Sequence, residues 1–146
     1  MEHVIFFSLV IFTSFIWSLL EIQIEGKNGW AGALPTWRYQ VHIKYIWERE
    51  ITGYHVYLIS FILLLLHSTF LYTAWSMQAE LKIIAFFLLL GGIEDFLWFV
   101  LNPAYGLKKF NRIDVPWHTM WFLGVPTFYF IIIPLGVFIY AISLTL

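Results

Sequence analysis

The chain contains no cysteine, which excludes disulfides, thiolate metal centres and cysteine nucleophiles. It is also poor in charge. Only 12% of its 146 residues are Asp, Glu, Lys or Arg, and the formal net charge is −1. No dense basic tract exists, so nucleic acid is excluded as a partner. Neither HExxH nor ExxH occurs, so any metal ligands would have to come one by one from different helices. The Met1-Glu2-His3 start lacks a positive n-region, and no small-residue cleavage site follows the first apolar run. The first segment is therefore expected to be retained rather than removed as a secretory leader.

What the chain does have is apolar and aromatic side chains, 61% and 21% of its residues, with a mean hydropathy of +0.80. Soluble domains have roughly 45–50% apolar and about 25% charged residues. A chain this short keeps much of its surface exposed and could not hide so much apolar area from water. The expectation is a single integral-membrane domain over 1–146. Four stretches reach the roughly 20 apolar residues that a crossing needs: Val4 to Leu20, Ile51 to Trp75, Leu81 to Leu101 and Trp117 to Ser143. The predicted fold is an all-α, four-transmembrane-helix bundle with both termini on one side.

Orientation follows from the cations. Lys27, Arg38, Lys44 and Arg49 fall between helices 1 and 2, and Lys108, Lys109 and Arg112 between helices 3 and 4. Lys82 alone falls on the other side. Cytoplasmic loops accumulate positive charge, so loops 21–50 and 102–116 should be cytoplasmic and both termini external. The aromatic residues are skewed the same way, Trp30, Trp37, Trp47, Tyr105 and Trp121 among them.

The long loops are patterned. Glu21, Gln23 and Glu25 alternate with Ile22 and Ile24, and Tyr39, Val41, Ile43 and Tyr45 alternate with Gln40, His42 and Lys44. Such alternation suggests a short interfacial hairpin. The preferred rival is that helix 1 continues, which puts Glu21 and Glu25 on one helical face. Ser76 to Glu80 should be a short turn. Asn102-Pro103 should end helix 3. Asp114 with Pro116 reads as the start of helix 4, with His118 in its first turn, and Pro126 and Pro134 should kink it.

Charged side chains inside a span cost roughly 2.5–3.5 kcal/mol each on insertion scales. Glu94 and Asp95 are the sharpest case, about 10 Å inside the cytoplasmic end of helix 3 at the helical rise. The Gly91-Gly92 pair beside them would let another helix approach closely. Glu21, His55 and His118 bring a proton-binding group from each of the other helices to the same depth. His67, about 18 Å along helix 2 from His55, should instead bond a neighbouring helix, and His3 and His42 should be solvated. The charge run Glu48-Arg49-Glu50 reads as a wetted helix start.

Three chemistries fit this convergence. One is a divalent metal (zinc, iron or manganese) held by His55, Glu94, His118 and Glu21. Another is metal-free acid–base chemistry by Glu94, Asp95 and His118 on a lipid-soluble substrate, with carboxylates beside aromatic rings able to stabilise a passing carbocation. The third, and the poorest fit, is haem between His55 and His118. Arg38, Asn102, Arg112, Trp98 and Trp121 are the candidate substrate-binding residues.

The segment Ile93-Glu94-Asp95-Phe96-Leu97-Trp98-Phe99 resembles the P-[IL]-E-[ED]-F-L-F-F motif of small membrane lycopene cyclases. The resemblance is local, lacks the motif's proline and occurs once; it does not assign the chain to that family. The bland reading of the acids is that they pair with Arg38, Arg112 or His118 to lock helices together. The functional reading is a membrane enzyme acting on a lipid or other hydrophobic molecule. Its rivals are an oligomeric transporter or ion-conducting unit working through Glu94, and a structural subunit of a larger membrane complex.

Overall fold

A computed structural model describes residues 1–41 and 50–146. Of the described residues 64% are helical. In order it forms helix α1 (Glu2–Glu25), strands β1 (Arg38–Gln40) and β2 (Glu50–Thr52), and helix α2 (Gly53–His67) with a 3₁₀ turn at Ser68–Leu71. Helix α3 (Met77–Leu101), strands β3 (Trp121–Phe122) and β4 (Val125–Pro126) and helix α4 (Thr127–Ser143) follow. Three of the helical segments are long and apolar enough to cross a membrane: Glu2–Glu25, Gly53–Leu71 and Met77–Leu101. Helix α4 is shorter, at 17 residues.

The helices pack through small residues set against large ones, beside aromatic contacts such as Phe6 on Phe86 and Tyr140. The buried residues of α1 are Val10, Ser14, Ser18, Glu21, Ile22 and Glu25, and Ser14 Oγ donates to the Leu90 carbonyl of α3 at 3.3 Å. A Cβ at Gly92 would lie 2.6 Å from Ile133 of α4, and one at Gly136 would lie 2.8 Å from Leu89. Both glycines therefore set the α3–α4 approach, since helices in lipid associate by close contact of small side chains. Helix α2 differs. Only Gly53 of α2 is buried. It is held by its ends instead: His67 Nε2 pairs with Glu80 Oε1 of α3 at 3.0 Å, and Tyr54 OH donates to Glu21 of α1 at 3.2 Å. The bond from His67 to a neighbouring helix is as expected.

The ends of the bundle differ in character. At one, Glu2 pairs with Lys82 and His3 Nδ1 bonds Tyr140 OH at 2.8 Å, so the beginning of α1 lies beside the end of α4. His3 is exposed, as expected, and bonds Tyr140 as well. At the other end Ile22, Trp98, Phe99 and Val115 form a buried cluster, with Tyr105, Phe110, Trp117 and Trp121 packed against it. Tyr105 OH donates to the Lys27 carbonyl at 3.1 Å, and burial raises this phenol above its ordinary range, keeping it a donor.

Several expected boundaries move. Helix 1 continues past Leu20 to Glu25, as the preferred reading held, and ends where Gly26 adopts φ 61°. A hairpin between 20–25 and the second alternating stretch is therefore not formed; the strand that includes Tyr39 pairs instead with β2, Tyr39 opposite Ile51. The alternation at His42, Ile43, Lys44 and Tyr45 and the charged Glu48-Arg49 lie outside the described residues, while Glu50, expected in a helix start, begins β2 instead. Helix 2 is shorter than expected, and the link to α3 is Tyr72 to Ser76, where Ser76 Oγ caps the Ala79 N–H at 3.1 Å.

Helix 4 begins at Thr127, not at Trp117. Asp114 does not cap it, because Asn111 organises that turn: its Oδ1 accepts from the N–H groups of Ile113 and Asp114, and its Nδ2 donates to Asp114. His118 accordingly sits in a loop. Leu123 and Gly124, with φ of 50° and 79°, make the two-residue turn of a hairpin in which Phe122 faces Val125. Two successive positive φ values are what such a tight hairpin requires. Pro126 is then the residue before α4 and kinks nothing, while Pro134 does lie inside the helix. Asn102 ends α3, as expected beside Pro103. Its Nδ2 donates to the Gly26 carbonyl at 2.7 Å and so ties α3 to the end of α1.

Candidate functional site

The acids of α1 and α3 meet in one cavity of about 290 Å³, whose wall includes Glu21, Glu25, His55, Glu94 and Asp95. Away from that polar end the wall is Leu58, Ile59 and Ile62 of α2, Phe87 and Leu88 of α3, and Ile132 of α4. Among the described residues that line it there is no Lys or Arg.

Helix geometry puts the acids there. Glu21 and Glu25 are one turn apart on the buried face of α1, and Glu94 is one turn before Trp98 on α3. Glu21 and Glu94 lie within hydrogen-bond reach of each other. A hydrogen bond between two carboxyl groups needs one shared proton, because an ionised carboxylate only accepts. Apart from this contact no donor comes to Oε1 of Glu94, which is buried, and the buried Nε1 of Trp98 has no acceptor. Trp98 itself is only 4% exposed.

Each flank of the cavity is braced. On one side Glu25 Oε1 accepts the Ala31 N–H at 2.6 Å and stands 3.7 Å from His55 Nε2. His55 Nδ1 bonds Thr52 Oγ1 at 2.6 Å, and the Trp30 ring stacks on the imidazole with centroids 4.0 Å apart. Trp30 and Ala31 hold φ of 57° and 54°, a left-handed backbone that costs non-glycine residues roughly 1–2 kcal/mol each. The Glu25 carboxylate thus stabilises the bend that presses Trp30 over the site.

On the other side Asp95 Oδ2 accepts from Tyr129 OH of α4 and lies 3.0 Å from Nε2 of His118, a residue only 4% exposed. Trp121 Nε1 donates to the His118 carbonyl at 2.6 Å and fixes the loop.

Of the residues marked from sequence, Glu21, His55, Glu94, Asp95 and Trp98 share the cavity wall; Arg38, Asn102, Arg112, His118 and Trp121 do not. Arg38 pairs with Glu50 and the Ala31 carbonyl, Asn102 with backbone, and Arg112 is exposed. In the proposed ligand set His55 faces Glu25, Glu21 faces Glu94 and His118 faces Asp95. Among the described residues no group of three His, Asp or Glu side chains is arranged to hold an ion.

Sequence reasoning missed Glu25, Tyr54, Tyr129 and Trp30 as parts of the site. Glu25 carried a signal, since a continuous helix puts it one turn from Glu21. Tyr129 carried none, because a tyrosine in an apolar run reads as packing or as an interface anchor. Compared with family models, with curated proteins and with solved structures, the chain matches none.

Proposed function

We propose that the acidic cavity is the active site of a small membrane enzyme that performs acid–base chemistry on a lipophilic substrate. The observation that carries the reading is the combination within one cavity of four carboxyl groups at one end and apolar side chains over the rest. Buried acids are expensive in a membrane and default to function, and a proton shared between Glu21 and Glu94 is available to a bound molecule. Glu94 would give or take that proton at Oε1, and Glu21 would hold it in the alternate state. Asp95, anchored by His118 and Tyr129, would supply a fixed charge beside the reacting group.

In the bilayer this reading takes α4 with its preceding hairpin as the fourth crossing. Both termini would then be external and loops 21–50 and 102–116 cytoplasmic, which places the cavity in the cytoplasmic half. The support is the distribution of cations in the sequence, all but Lys82 falling between helices 1 and 2 or between helices 3 and 4.

The test compares purified wild type with Glu94→Gln, each reconstituted in nanodiscs made from total membrane lipid, with the lipids profiled by mass spectrometry. The wild type should consume one lipophilic species, and the variant should do so at least about 100-fold more slowly with unchanged thermal unfolding. Equal lipid profiles in the two samples would contradict the reading. Loss of ion or solute flux in vesicles of the variant, without any lipid change, would assign Glu94 to transport instead.

A further inference from the structure

The strap of residues 103–114, between α3 and the β3–β4 hairpin, is built from two tight turns about one inward ring. Leu107–Lys109 is a 3₁₀ turn that follows Gly106 at φ 62°, and Asn111 Oδ1 gathers the N–H groups of Ile113 and Asp114. Between the turns the Phe110 ring packs on Phe96 and Phe99 of α3, with centroids 5.7 and 5.0 Å apart. Three residues to either side of it, Leu107 and Ile113 are 64% and 90% exposed. Lys108 and Arg112, next to them in sequence, are exposed as well.

The aromatic contact fixes the depth of the strap. Phe96 lies five residues before the end of α3, about 7.5 Å back along the helix at the usual rise, and is itself 41% exposed. The strap therefore does not rise away from the end of α3. It folds back against the outward side of the last turns of a helix long and apolar enough to cross a membrane. That level is where the hydrocarbon core gives way to head groups. We infer that the strap docks anionic phospholipid, Leu107 and Ile113 entering the acyl edge of the leaflet and Lys108 and Arg112 holding the head-group phosphates.

The charge of the strap selects the lipid. Asp114 is the only acid after Asp95, and its Oδ2 accepts from Asn111 Nδ2 at 2.6 Å. Lys109 fixes the strap itself, donating to the Ala104 carbonyl at 2.6 Å and lying 5.8 Å from the centre of the Tyr105 ring. Among the described residues neither Lys108 nor Arg112 has an ion-pair partner. Apolar and basic side chains on one outer surface are what an anionic interface binds. A zwitterionic lipid would bring an ammonium toward the same two cations. A soluble acidic protein would match the cations but would leave Leu107 and Ile113 in water. The inference rests on α3 crossing the bilayer and not on the reading of the cavity.

The test is made on the full chain carrying Ile113→Cys labelled with bimane, in nanodiscs of equal parts phosphatidylcholine and phosphatidylglycerol. A nitroxide is placed high on the acyl chain of one lipid or the other. Nitroxide lipid should quench the bimane while aqueous iodide has little effect, and labelled phosphatidylglycerol should be at least about 5-fold more effective than labelled phosphatidylcholine, the effect of one basic residue at an anionic surface. Adding Lys108→Gln and Arg112→Gln should make the two lipids equal, with thermal unfolding unchanged, and adding Lys82→Gln instead should leave the preference in place. Quenching by iodide but not by lipid would put the strap in water, open to a soluble partner, and overturn the inference. So would equal quenching by the two lipids without the added substitutions, a preference that survives the double substitution, or one that Lys82→Gln also removes.

Discussion

Glu94 is an unusual residue because its neighbours are unusual. Glu21 faces it across the helix interface, Asp95 follows it in sequence, and Glu25 lies one turn beyond Glu21. If Glu21 and Glu94 hold one proton between them, they act as one unit. Glu21→Gln and Glu94→Gln should then each slow turnover at least about 100-fold. The double variant should be no more than about 10-fold slower than either single variant, where independent groups would multiply. Rates on the lipid identified with wild type decide this, and a multiplicative loss would mean separate roles. At this scale the sequence was informative wherever charge interrupted an apolar run: Glu94, Asp95, Glu21 and His55 all reach the cavity wall. It was silent where aromatic residues do polar work, as Tyr54 does for Glu21 and Tyr129 for Asp95.

Among the elements, α3 is the organising helix, contacting α1 and α4 along its length, while α2 is attached mainly through its ends. The adjacent glycines of α3 show the division of labour. Gly92 faces α4, where a Cβ would lie 2.6 Å from Ile133, whereas Gly91 faces open cavity. The same substitution should therefore have opposite effects. Gly92→Leu should destabilise by about 1–3 kcal/mol through overpacking, while Gly91→Leu should be neutral or stabilise by up to about 1 kcal/mol through helix propensity. Thermal unfolding in detergent measures both, and equal losses would contradict the assignment of faces. The pair was legible in sequence as a close-approach site, but not which member faces which neighbour. The start of α4 was not legible either. After His118 and Thr119 the chain is apolar from Met120 into α4 apart from Gly124, and the turn is set by positive φ at Leu123 and Gly124, a backbone feature that only the glycine signals.

For the molecule as a whole, the proposed orientation can be checked simply, because a cysteine-free chain accepts single reporter cysteines. Thr145→Cys should react with a membrane-impermeant maleimide on intact cells, and Lys108→Cys only after permeabilisation; the opposite pattern would invert the topology. The central claim is that a carboxyl pair holding a proton sits in a cavity reached from the lipid phase. Labelling with dicyclohexylcarbodiimide, which partitions into apolar phases and adds to protonated carboxyls, tests it most directly. The account predicts an adduct on Glu94 or Glu21, lost in Glu94→Gln, while a water-soluble carbodiimide modifies exposed acids such as Glu2 and Asp114 instead. Cavity acids left untouched by the hydrophobic reagent, or modified equally by the water-soluble one, would contradict it.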